Sequence, residues 1–145
     1  MSLPNEFSEA SPSGKGAASR ARLSEKSQLD FDIDFFSRVL ERNAEYVDVL
    51  RCQGQLLSRK GRHREAVAVD RQLVALRPND AVAHYNLGCS LALLGKPKEA
   101  IQSLRRAFER GYNDFDHLEE DGDLESLRAL AAYRALLREF GIGEG

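Results

Sequence analysis

Residues Val47 to Asp80 form a 34-residue stretch, and the next 34 residues, Ala81 to Asp114, repeat its punctuation without a gap. Superposing the two puts Gly54 over Gly88, Leu57 over Leu91, Gly61 over Gly95, Glu65 over Glu99, Ala66 over Ala100 and Arg71 over Arg105. Asn79-Asp80 falls over Asn113-Asp114. A helical unit of this length cannot bury its apolar face alone. Copies of it must stack into a solenoid whose grooved face is left for another molecule. The repeat therefore predicts an all-α fold and a binding module, and it leaves the bound molecule unnamed.

Within each copy the apolar spacing has a helical period. Leu50, Gln53, Gly54 and Leu57 share one side of a helix over 47–60, which Gly61 ends. His84, Leu87, Gly88 and Leu91 repeat that side over 81–94, with Gly95 as the stop and Pro97 suited to the first turn of the next helix. A glycine inside a helix costs roughly 0.5–1 kcal/mol relative to alanine, so Gly54 and Gly88 need compensation. The simplest is close approach of the paired helix at Ala66 and Ala100. On that reading Gly88→Leu lowers the melting temperature sharply and Gly88→Ala only mildly.

The period and its contents resemble the tetratricopeptide repeat, whose pattern is a large residue, Leu-Gly, an aromatic, then Ala, a bulky residue and Pro. The second copy fills these slots with His84, Leu87, Gly88, Leu91, Ala100, Leu104, Ala107 and Tyr112. The first fills them with Leu50, Gln53, Gly54, Leu57, Ala66, Asp70, Leu73 and Pro78, so that Asp70 stands in a slot normally apolar. The resemblance implies a right-handed α-α superhelix of antiparallel helix pairs. Residues 29–46, with Phe31, Phe35, Phe36, Val39 and Leu40, read as the second helix of a leading unit whose first helix is missing. Residues 115–145 look like the end-of-group segment that closes many short bacterial arrays. That segment commonly has Pro where this chain has Ala131, which implies a less interrupted last helix. Residues 1–28 are rich in Ser, Ala, Gly and charge and are expected to form a disordered arm, leaving 29–145 as one domain.

In tetratricopeptide proteins the exposed side of each first helix lines a concave groove for an extended peptide or a partner helix. The positions that match here are Arg51, Gln55, Arg59, Tyr85, Asn86 and Cys89, alongside Asp48, Ser58, Val82 and Ala92. Arg51 and Arg59 beside the ring of Tyr85 would suit an acidic, carboxylate-bearing partner. One version of the groove clamps the C-terminal carboxylate of chaperones, and Arg51, Gln55 and Asn86 match part of its set. Asp116 and Glu120 fall where two further basic residues belong, and these acids argue against chaperone docking. The expected function is a protein-interaction adaptor or scaffold.

The alternative is a self-associating module. Arg51, Arg59, Lys60, Arg62, Arg64, Arg71 and Arg77 crowd the middle, whereas 113–126 has seven acids and no Lys or Arg, so head-to-tail homo-oligomers are electrostatically permitted. Other classes find little support. A net charge of −2 gives no global attraction to nucleic acid, although Arg59 to Arg64 is a dense basic run. No stretch approaches the roughly 20 apolar residues of a membrane span, and the N-terminus lacks the apolar core of a secretory signal. The expected placement is the cytoplasm. The acids after Asp114 fail as a calcium loop because Leu118 and Glu119 fill its fifth and sixth positions. Cys52 and Cys89 make no disulfide or metal framework, and His63, His84 and His117 show no zinc spacing. With no phosphate loop or nucleophile elbow either, no catalytic, cofactor or metal residues are expected.

Overall fold

The computed structural model describes the backbone of residues 14–143 and the side chains of residues 28–143. Within these the chain is an all-helical α-α solenoid. Helix α1 (Gly14–Arg42) leads, followed by the hairpin α2 (Val47–Lys60) and α3 (His63–Leu76), then the hairpin α4 (Ala81–Leu93) and α5 (Pro97–Glu109). A cap closes the stack: α6 (Phe115–Glu120), a 3-10 turn (Gly122–Leu127) and α7 (Ala131–Glu139).

Both hairpins are punctuated alike. At the end of α2 the Gly61 N–H donates to Ser58 O and Arg62 N–H to Leu57 O; at the end of α4 Gly95 N–H donates to Ala92 O and Lys96 N–H to Leu91 O. This reversal requires a left-handed residue, and Gly61 and Gly95 have φ of 85° and 84°. Asp80 caps α4 by accepting from the Ala83 N–H at 3.1 Å. Each helix from α1 to α4 packs on the next, while α4 also meets the 3-10 turn and α5 meets α7.

The core runs through all of these layers. Ile33 of α1 packs with Leu57 and Ala66, and Leu50, Leu73 and Ala83 join α2, α3 and α4. The largest cluster spans the second hairpin and the cap, where Leu104, Leu124, Leu127 and Leu136 are fully buried. Burying each such leucine contributes about 2 kcal/mol. Gln53 ties α1 down by donating from Nε2 to Ile33 O at 3.0 Å and to Ser37 Oγ at 2.9 Å.

Three expectations are corrected. Residues 14–28, read as unstructured, continue α1 as helix; residues 1–13 lie outside the described residues. Ala17, Ala18, Arg20, Ala21, Arg22, Leu23 and Lys26 are good helix formers, and extension from the packed half of α1 avoids the cost of nucleation. The last helix is interrupted despite Ala131, because Leu130 is extended (φ −82°, ψ 133°) and α7 starts only at Ala131, where proline would fit equally well. The compensation for the helical glycines also differs between the copies. A Cβ on Gly88 would lie 2.9 Å from Leu104 Cδ2 and 3.3 Å from Ala100 O, but one on Gly54 would lie 2.3 Å from Asp70 Oδ1. Ala100 thus takes part as expected, whereas Ala66 gives way to the Asp70 carboxylate.

Candidate functional site

A cleft of about 490 Å³ opens between α2, α4 and the cap. From α2 it is lined by Gln55, Ser58 and Arg59, and from α4 by Tyr85, Asn86 and Cys89. The far wall is His117, Asp121 and Asp123, and the floor is Asp70, Ser90 and Gly54. Residues Gln55, Arg59, Tyr85, Asn86 and Cys89 are therefore brought together, with Gln55 and Arg59 exposed and Asn86 half-buried. Arg51 is not among them. Its guanidinium donates to Asp80 Oδ2 at 2.7 Å, the same carboxylate that caps α4, and this holds Asp80 below the ordinary range despite its partial burial.

Tyr85 differs from its expected role as an exposed ring. It is only 2% exposed, stacks face to face on Tyr112 with centroids 4.2 Å apart, and donates its hydroxyl to Asp121 Oδ2 at 2.6 Å. Burial and the neighbouring acidic groups push its phenol far above the ordinary range. Cys89 is likewise buried, with Sγ 3.6 Å from Asp121 Oδ2. Burial first, then the charges of Asp121 and Asp123, raises the thiol well above its usual range, so it stays protonated. His84 points elsewhere: Nε2 lies 2.8 Å from Pro78 O, an acceptor, so that nitrogen carries the proton. A Cys89–His84 nucleophile pair is not assembled.

The floor is polar. Asp70 is 4% exposed and accepts from Ser90 Oγ at 2.6 Å. Burial pushes its carboxyl up to about 6, with the Ser90 hydrogen bond opposing. The acids of the cap that face the cleft are Asp121 and Asp123, not Asp116 and Glu120. They are held by the cap itself: Asp121 Oδ1 accepts from Asp123 N–H at 3.0 Å, and Arg128 Nη2 donates to the carbonyls of Leu118, Glu119 and Asp121 at 3.1, 2.8 and 2.8 Å. This wall escaped the sequence reading because it lies past Asp114, where the 34-residue period ends. Asp121-Gly122 and Asp114, both turn or cap signals, were the available clues.

Residues 52–114 match the tetratricopeptide repeat family model, in the register that the glycines and the two hairpins define. That segment is similar to a tetratricopeptide-repeat array, and such repeats are protein-interaction modules. It is similar to a chloroplastic protein of Arabidopsis thaliana, 30% identical over 91 residues that make up 61% of this chain and 27% of that protein. The chain thus spans about a quarter of the length of that curated relative. A solved structure of a MamA RS-1 ArsTM double mutant has the same fold, with a TM-score of 0.58 at 18% identity over 81% of this chain and 70% of that one. Among the described residues no helix is long and apolar enough to cross a membrane.

Proposed function

We propose that the cleft between α2, α4 and the cap receives an extended segment of a partner protein. The observation that supports this most is the convergence of exposed Gln55 and Arg59 and half-buried Asn86 on one open cleft. Amide side chains can pair with a peptide backbone, and Arg59 offers a planar fork to a carboxylate. Asp121 and Asp123 on the opposite wall set a limit, since a segment acidic throughout would be repelled there. The favoured ligand carries a carboxylate toward Arg59 and a neutral or basic group toward the cap.

A peptide-display library selected on the wild-type chain and counter-screened on a Gln55→Ala/Arg59→Glu variant tests this. Peptides that bind the wild type and lose at least tenfold in affinity on the variant are expected. Binders that tolerate both substitutions would place recognition elsewhere. Self-association is the second reading, favoured by the exposed acids Asp116, Glu119 and Glu120. It is weakened because Arg51, Lys60, Arg62 and Arg71 already pair with Asp80, Asp30, Glu65 and Glu99 within the chain. Sedimentation should show a monomer whose mass does not change with salt; assembly that dissolves as salt rises would favour the second reading.

A further inference from the structure

We propose that the outward face of α1 pairs, antiparallel, with the same face of a second copy of this chain. The inward face of α1 is committed: Ile33 is buried with Leu57 and Ala66, Leu40 packs toward Leu50 and Leu73, and Gln53 holds Ile33 O and Ser37 Oγ. The helix therefore cannot turn to hide its other side. On that side Phe31 and Phe35 are 61% and 47% exposed, one helical turn apart. Single exposed apolar side chains are ordinary, but two phenylalanines at i and i+4 lie side by side and make one patch. Phe35 is already ordered, tilted edge-on to Phe36 with ring centroids 5.4 Å apart.

The charges beside the rings identify what covers them. Asp30, Asp32 and Asp34 fall in the first half of the described part of α1, and Arg38 and Arg42 in the second, with Glu41 the one acid there. Two copies running antiparallel bring the acids of each to the arginines of the other, whereas a parallel pair sets like charge on like. The face is thus complementary to itself, which is the condition for an isologous contact that closes as a two-fold dimer. Arg38 and Asp34 pair within the helix at 2.7 Å, yet their side chains stay 61% and 64% exposed. Such a surface bond is weak, and each group can serve a facing copy instead.

The described face, Gln28 to Arg42, is roughly 22 Å long at 1.5 Å per residue. Paired on itself it buries less than the about 1,200 Å² at which stable complexes begin, so the dimer is transient and forms as the chain is concentrated, while the dilute chain is a monomer. The rings supply the affinity and the charges set the direction. Contact between rings outlasts added salt, which separates this dimer from head-to-tail assembly through charged ends. No described residue of α1 lines the cleft, so the inference does not rest on the partner-binding reading.

Static light scattering of the full chain, from dilute to near-millimolar concentration, tests it. The average mass of the wild type should climb from one chain toward two and no further, at low and at high salt. Phe31→Ser/Phe35→Ser, at exposed positions that leave the core intact, should stay at one chain throughout. Asp34→Arg and Arg38→Asp each set like charges across the two-fold and should weaken self-pairing at least tenfold at low salt. An equimolar mixture of these two variants restores opposite charges and should pair again. Helical circular dichroism checks that each variant is folded. A wild type that stays at one chain or grows past two, pairing that survives the loss of both rings, or a mixture that pairs no better than its components overturns the inference.

Discussion

The two repeats share a backbone plan and differ in what fills the space above the helical glycine. In the second repeat Leu104 packs on Gly88, and the position 34 residues after Ser90 is the buried Leu124. In the first repeat Asp70 packs on Gly54 and reaches across to Ser90 of the next helix. One repeat keeps an apolar joint, whereas the other places a carboxyl beneath the cleft. The slot that holds Pro78 in the first copy holds Tyr112 in the second, where it stacks on Tyr85 and helps to close the cap over α4. Equal geometry thus carries unequal chemistry, and the polar version faces the candidate site.

Making the second joint like the first should be the most damaging change. Leu104→Asp puts a carboxylate where no serine waits, and a loss of about 4 kcal/mol or more in urea unfolding is expected. A loss under about 1 kcal/mol would show the two joints to be interchangeable. Next in size is the pH dependence of Asp70. Its carboxyl titrates near 6 in the fold against an ordinary 3.8, so the folded state holds the proton more tightly than the unfolded state. Stability from this group is highest below about pH 4, falls as the pH rises through 4 to 6, and carries its full penalty above about 6. That penalty is at most about 3 kcal/mol. Asp70→Asn should therefore be more stable than wild type at pH 8 and equal to it near pH 4; parallel curves would contradict the burial argument.

Smaller effects separate the glycines. Gly88→Ala forces a methyl against fully buried Leu104 and the Ala100 carbonyl, and overpacking should outweigh the gain in helix propensity by about 1–2 kcal/mol. The mild effect expected from sequence is thereby revised. Gly54→Ala collides instead with a carboxyl oxygen, so Asp70→Ser should rescue it and leave Gly88→Ala unaffected. Thermal melts of the single and double variants read this coupling directly. Identical coupling at both glycines would mean that the joints do not differ.

Much of the scaffold was legible because it is local or periodic. Gly61 and Gly95 end their helices, Asp80 starts one, and the 34-residue spacing sets two hairpins side by side. Gln55, Arg59, Asn86 and Cys89, singled out from the family resemblance, line the cleft. What escaped detection depends on distance in sequence. The Arg51–Asp80 pair spans 29 positions, and Tyr85 reaches 36 positions on to Asp121, in a segment with no repeat to align. The burial of Tyr85 and Cys89 rests on that contact together with the stacking of Tyr112 and the packing of the cap, and His63, His117 and the two aspartates reach the cleft from elements far apart in the chain.

The central claim is that the segment after Asp114 folds back over α4 and turns a flat helix face into a closed-sided cleft. Thiol labelling with a chromogenic disulfide measures this directly, because Cys52 is exposed on α2 while Cys89 lies under the cap. One thiol should react at the rate of an unhindered cysteine and the second at least tenfold more slowly, with Asp121→Ala speeding only the second. Two thiols reacting at one rate in the native chain would contradict the account.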